Sequence, residues 1–421
     1  MWVWLHIDQF LCTCKGRLIM PVWLDAVPEK AAKVPRPDTR RWLLFLVIIM
    51  LGGIALTLWG WTAERTGFVF WFTALGLPFC SWGLIFGLRR FAYKAEQTGA
   101  ESRNTERELL IEREIQRGQR CAWILGTSVQ HITGNKTGVL IKAVESSSLA
   151  AKLSTPRGRL SAVRYAALNA FQTDLDAEII STTSTLVTRV QKITEMFPKD
   201  IPCCLMLDCD DDIRSRVEEH FRNELSAKTG RLFRLLAGKG LAAFDAWLDQ
   251  RWEQPGILVA VTFSLPALPY EGDADAITLL VLSNRKAVAW PDAVCLHRPE
   301  KGQEAGLEKT LNRALLWAAT DSVALKAGWH TCPAIASGSG WNMACENNGV
   351  VFSLSKDNRS IDPALGYAGR AAPWLAIILA SAACNDNGPQ VIAAQPASDE
   401  DDIWVTVITK EEVRKGSSGN V

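Results

Sequence analysis

The run Ile201-Pro202-Cys203-Cys204-Leu205-Met206-Leu207-Asp208-Cys209-Asp210-Asp211-Asp212 decides the fold class of this chain. A β-rich stretch, Cys203 to Cys209, ends in an acidic cluster, and an amphipathic stretch from Ile213 to Lys228 follows. The carboxylates thus stand where a helix N-terminus attracts negative charge. The same alternation continues on both sides. Ala122 to Leu125, Gly138 to Val144, Gly256 to Phe263 and Ala276 to Ser283 read as strands, and Arg159 to Asp174 and Gly240 to Gln250 as helices. After a loop with Pro291 and Pro299, Glu304 to Ala327 reads as helix, Thr331 to Ser337 and Val350 to Ser353 as strands, Ala371 to Ala383 as helix and Ile403 to Thr409 as a closing strand. This pattern predicts an α/β layer structure in two halves, 121–290 and 291–410, with a tail at 411–421.

Upstream, two uncharged stretches, Trp42 to Trp61 and Phe68 to Leu88, each supply the roughly 20 apolar residues that a helix needs to cross the hydrocarbon of a bilayer. Only Thr62 to Gly67 joins them, so the second must return the way the first came. A two-helix transmembrane hairpin over 42–88 is expected, after a leader at 1–41 and before a charged helical linker at 89–120. Arg36, Arg40 and Arg41 precede the first span and Arg89, Arg90 and Lys94 follow the second, whereas the link carries one Glu64 and one Arg65. Positive charge is retained in the cytoplasm, so both termini are expected there, at a bacterial inner membrane. The alternative is a pair of buried helices in a soluble protein. Asp8 interrupts the apolar part of Met1 to Ile19, which does not read as a secretory signal, and Met20 opens a more natural leader.

Composition narrows the function. A net charge of +1 over 421 residues, with no basic stripe, argues against a nucleic-acid partner. Eleven cysteines, odd in number and scattered, read as thiols in apolar strands of a reducing compartment rather than as a disulfide framework. Cys12 and Cys14 have no further ligands beside them.

Three segments carry a resemblance. The strand Ile201 to Asp208 followed by a helix and Ala237-Gly238-Lys239-Gly240-Leu241-Ala242-Ala243-Phe244 resembles the nucleophile strand-to-helix turn of the β-ketoacyl synthases, which have a thiolase-like fold. Pro255 to Phe263, Glu271 to Ala276 and Ile277 to Ser283 resemble the hairpin that closes the N-terminal half of that fold. Ala364-Leu365-Gly366-Tyr367-Ala368-Gly369-Arg370-Ala371-Ala372 is similar to the turn that opens a helix of its second half. The resemblance implies a duplicated α/β domain over most of Cys121 to Thr409, and a homodimer. It also implies a degenerate site. Ala237 falls at or near the nucleophile position, Tyr367 takes the place of the second histidine, and Ala336 to Gly340 has no histidine for the first.

The remaining chemistry is weighed residue by residue. Asp208, Asp210, Asp211 and Asp212 suit helix capping first and a divalent cation second. Gly134 to Gly138 lacks the spacing of a phosphate loop. Cys203, Cys204 and Cys209 read as core, with Cys204 and Cys209 on opposite faces of one strand. His131 and His330 become bases only if the fold sets them beside a nucleophile. Gly338, Ser339 and Gly340 form a flexible turn or an anion-binding nest, so Asp210, Asp211 and Ser339 are the candidate binding residues. No catalytic residue, cofactor or metal is expected. The expected function is a membrane-anchored, non-catalytic thiolase-like scaffold for protein partners at the inner membrane, such as an accessory of a type VI or other secretion system. The alternatives are a membrane-bound acyltransferase or condensing enzyme acting on acyl thioesters, and a sensor of envelope conditions.

Overall fold

A computed structural model of the chain describes residues 24–62, 65, 67–250, 252–331, 333–337, 340–396 and 402–410. Cys12, Cys14, Glu64, Gly338, Ser339 and the tail at 411–421 lie outside the described residues. The chain divides into two compact units, one ending at Glu114 and the other beginning at Ile115.

The first unit is helical. Helix α1, Thr39–Gly60, starts at Asp38, whose carboxylate accepts the Arg40 backbone N–H at 3.0 Å. Helix α2 is one continuous element, Phe68–Gly118, so the expected span and charged linker are not separate helices. Its Phe72–Gly76 turn widens to π geometry just before Pro78, which has no N–H to donate to the Ala74 carbonyl. Gly53 of α1 lies against this point: a Cβ there would sit 2.2 Å from Pro78 Cγ, so the close approach of the two helices requires glycine. Trp82 Nε1 donates to the Trp42 carbonyl at 3.0 Å and locks the other end of the pair. Both helices are long and apolar enough to cross a membrane, with mean hydropathies of 2.5 and 1.7 over windows that stay 6% and 17% buried.

The second unit is built around a sheet. Among the described residues it has β1 (Cys121–Gln130), the small pair β2 (Lys152–Ser154) and β3 (Val163–Tyr165), β4 (Cys203–Cys209), β5 (Phe233–Leu235), β6 (Ile257–Ser264), β7 (Ala276–Ser283), β8 (Cys295–His297), β9 (Glu300–Gly302), β10 (Ala327–Thr331), β11 (Asn358–Ser360), β12 (Gln390–Ala394) and β13 (Ile403–Thr409). The main sheet runs β11-β10-β12-β13-β8-β1-β7-β6-β4-β5. This order contains one pattern twice. Within each half the strands stand third, second, fourth, fifth, first in chain order: β5-β4-β6-β7-β1 and β11-β10-β12-β13-β8. Directions repeat too, since the first three positions are mutually parallel and each of the last two is antiparallel to its predecessor. The halves join where Cys121, Ala122 and Trp123 of β1 pair with His297, Leu296 and Cys295 of β8.

The helices follow from what the strands must bury. Residues of β4, β6 and β7 are buried along their whole length, so both faces need cover. Helices α3 (Thr137–Glu145), α4 (Leu175–Thr194), α5 (Arg214–Thr229), α6 (Gly240–Gln250), α7 (Leu307–Ala318), α8 (Gly340–Asn347) and α9 (Ala372–Asn387) provide it. The inner core holds α3, α6 and α9 together with residues from both halves of the sheet, among them Met206, Leu258, Trp329 and Ile392. Alternate residues, such as Leu205 and Val259, face α4 and α5, while Val391 and Val405 face α7 and α8. Helices α6 and α9 follow the equivalent strands β5 and β11, and Phe244 meets Trp374 between them edge-on at 6.3 Å.

Several expected elements change. Gly138 to Val144 is helix, not strand: Leu140, Ala143 and Val144 recur at helical spacing and are its buried residues. Arg159 to Asp174 is not one helix but contains strand β3 and the short helix Asn169–Thr173. The helix expected over Glu304 to Ala327 ends at Ala318, where Ala319 adopts a left-handed conformation. The strand expected from Thr331 lies earlier, at Ala327–Thr331, with helix at Pro333–Ser337, and Val350 to Ser353 is irregular.

Candidate functional site

The two equivalent helix ends converge on the C-terminal end of β4. Asp208, the penultimate residue of that strand, is 1% exposed, and its Oδ1 accepts from Arg370 Nη1 at 3.3 Å. Arg370 comes from the turn that opens α9, in the other half of the domain. Its Nε donates to Asp210 Oδ1 at 3.2 Å, and its Nη2 lies 3.8 Å from Asp211 Oδ2. Asp210 Oδ2 also accepts the Leu265 N–H at 2.6 Å. Lys239, at the entrance to α6, lies 3.9 Å from Asp211 Oδ1, and Arg214 donates to that oxygen at 3.0 Å. The site is therefore a half-buried guanidinium held by carboxylates.

The electrostatics are those of an ion cluster buried at Asp208 and open to water at Asp211. Burial raises the Asp208 and Asp210 carboxyls above the ordinary range, and Arg370 opposes the rise in both; the Leu265 N–H opposes it further at Asp210. Asp211, on the rim, is held low by its hydrogen bond from Arg214. A cation at the N-terminus of a helix opposes the helix dipole, so Arg370 depends on these carboxylates for its place. Next to the cage, Asp275 accepts the Leu168 N–H at 2.9 Å and Gln172 Nε2 at 3.1 Å, and burial pushes its carboxyl up to about 7. Cys209 points to the opposite face of β4. Burial pushes its thiol up to about 12, so it stays protonated and unreactive at neutral pH.

Asp210 and Asp211 do come together, but as partners of arginine. They are not helix caps: the residue preceding α5 is Ile213, and no side chain caps the helix. Ala237 is exposed in the turn between β5 and α6, two residues before Lys239. Tyr367 is half-buried, donates its hydroxyl to the Gln395 carbonyl at 2.9 Å, and bridges Asp273 through its main chain. Gly366, just before it, needs to be glycine, because its φ is +88° and a Cβ would lie 2.8 Å from the Asp273 carbonyl. Ser339 is outside the described residues. His131 is a core residue: its Nε2 meets the Leu365 carbonyl at 2.9 Å, and burial lowers its pKa to about 4. His330 is half-buried in β10, and burial lowers its pKa as well. Cys204 and Cys209 lie on opposite faces of β4, in separate cores.

No protein-family model matches this chain, and no curated protein does. Solved structures do. Ketosynthase twelve from the bacillaene polyketide synthase in Bacillus amyloliquefaciens matches 70% of this chain and 76% of its own, with a TM-score of 0.50 and 9% identity. The fold is thiolase-like. The ketosynthase from module 1 of the bacillaene synthase from Bacillus amyloliquefaciens FZB42 is similar over 70% of this chain and 77% of its own (TM-score 0.49, 9% identity). So is the ishigamide ketosynthase/chain length factor, over 69% and 100% (TM-score 0.45, 12% identity). At these identities the likeness is one of fold. Within the thiolase-like domain, the duplicated strand order brings the N-terminal ends of α6 and α9 to one acidic cluster, where Lys239 and Arg370 both approach Asp211.

Arg370 is a site residue that the sequence pattern does not single out, although the turn that contains it stands out. The available signal was local: an arginine opening an otherwise small, apolar helix has to find carboxylates from elsewhere.

Proposed function

We propose that this chain is a membrane-anchored, non-catalytic thiolase-like protein that binds or scaffolds protein partners at the cytoplasmic face of a bacterial inner membrane. The observation that carries this reading is the Arg370 cage: where the two helix ends converge, the polar groups satisfy one another; on the resemblance to the β-ketoacyl synthases, Ala237, at or near the nucleophile position, offers only a methyl group. Acyl transfer to the protein needs a thiolate supported by a helix N-terminus or a base. The described thiol nearest the cage, Cys209, is buried on the other side of its strand. Anchoring supplies the logic of the function. A folded domain tethered to a membrane meets other components there at high effective concentration, without needing chemistry of its own. A secretion assembly is one setting of that kind.

An acyl-thioester probe incubated with the full-length protein in detergent is expected to leave every cysteine unlabelled. Stoichiometric acylation of one cysteine, with loss of biological role but not of folding in the matching Cys→Ala variant, would establish an enzyme instead. The anchor has its own test. A reporter active only in the cytoplasm is expected to work when fused after Val421 and to fail when inserted at Thr62 to Gly67, because Arg89, Arg90 and Lys94 resist translocation. Activity only from the inserted reporter would reverse the orientation.

A further inference from the structure

The seam between the two halves carries a cluster that the thiolase-like reading does not use. Cys121 of β1 stands directly opposite His297 of β8, and Cys295 lies two residues before His297 on the same strand, hence on the same face. One sulfur from each cysteine and one nitrogen from His297 all lie within 4.8 Å of one another.

The histidine carries a second, independent sign. His297 is 8% exposed, and its Nε2 lies 2.8 Å from the Thr409 hydroxyl. Its Nδ1 is buried with no hydrogen-bond partner; the Trp317 backbone interacts with the ring without reaching that geometry. A buried polar atom left unsatisfied is destabilising unless something binds it. If Nε2–H donates to Thr409, Nδ1 presents a lone pair, which is how a second hydrogen bond orients a metal-binding imidazole.

We infer that Cys121, Cys295 and His297 form a zinc site that staples the two halves of the sheet together. Two thiolates and one imidazole are the donors of a thiophilic cation, and their charges cancel that of a divalent ion. Tetrahedral zinc brings such ligand atoms to about 3.5–3.8 Å from one another, a distance that side-chain rotation reaches from the observed cluster. Cys121 is half-buried, which leaves the ion a path in from solvent.

Cobalt titration of the full-length protein, reduced and chelator-treated in detergent, tests the site. The expected result is a thiolate-to-cobalt charge-transfer band with the intense ligand-field bands of tetrahedral Co²⁺. These bands should saturate at one equivalent per chain, disappear on adding zinc and be absent from Cys121→Ser, while Cys203→Ser keeps them. Absence of thiolate-cobalt absorption in the wild type, or the same spectrum in Cys121→Ser, overturns the proposal. A second measurement needs no variant: zinc is expected to slow alkylation of Cys121 at least tenfold, read from its peptide by mass spectrometry. An unchanged alkylation rate also overturns it.

Discussion

Asp275→Asn is expected to raise the melting temperature of the full-length protein above pH 7 and to leave it unchanged near pH 4. Asp275 is fully buried; one of its oxygens accepts two hydrogen bonds and the other, Oδ1, has no partner. Burial raises its pKa from 3.8 to about 7. Between those values the native state binds the proton more tightly than the unfolded chain does. The stability this group contributes is therefore fully present below about pH 4 and is lost as pH rises through 7. The shift corresponds to a penalty on the order of 4 kcal/mol for the ionised native state. Asparagine keeps the shape and an acceptor for the Leu168 N–H but cannot ionise. Thermal melts of both proteins from pH 4 to pH 8 check this, and a variant no more stable than the wild type at pH 8 refutes it.

Arg298→Met is expected to cost about 3–5 kcal/mol, the usual consequence of removing one partner from a buried ion cluster. Arg298 is 2% exposed and donates to Asp245 at 2.8 Å and to Asp249 at 2.6 Å. Asp249 keeps Arg117 and Arg120, each at 2.7 Å, whereas among the described residues Asp245 pairs with Arg298 alone. Burial already pushes the Asp245 carboxyl up to about 6 against the pull of Arg298, and losing that pull raises it further. The loss should therefore be larger at pH 8 than at pH 5. The double variant Arg298→Met, Asp245→Leu should recover part of it, because no orphaned charge then remains at residue 245. Denaturant melts at the two pH values measure both effects, and a loss under about 1 kcal/mol at pH 8 would place this cluster with weak surface pairs.

The strands β4, β6, β7 and β13 were legible because each is a continuous apolar run buried on both faces, a pattern that needs no tertiary information. Helix α3 was not, because the β-branched residues of Thr137–Glu145 outweighed a three-residue helical stripe in so short a window. Helix α4 was missed for a related reason. Its centre is rich in serine and threonine, poor helix formers, and it is held by burying Thr182, Thr183, Leu186 and Val187 against the sheet, which overrides local preference. The thiolase-like fold was legible from the order of elements and the quoted turns. The carboxylates of the site were visible as a cluster, whereas their true partner, Arg370, is distant in sequence and reaches them only through the duplicated sheet.

The position of β1 has a consequence for how the molecule is made. It is the first of the described strands to leave the ribosome, yet it sits in the middle of the sheet, and its neighbours β7 and β8 are synthesised long afterwards. At roughly 5–20 residues per second, translation leaves that strand waiting on the order of ten seconds or more for its first partner. During this interval Ala122, Ile124, Leu125 and Val129, all buried in the finished sheet, are open to wrong pairing. Completion of the domain is thus a late, non-local closure of its oldest strand, and the risk of aggregation during synthesis is concentrated there.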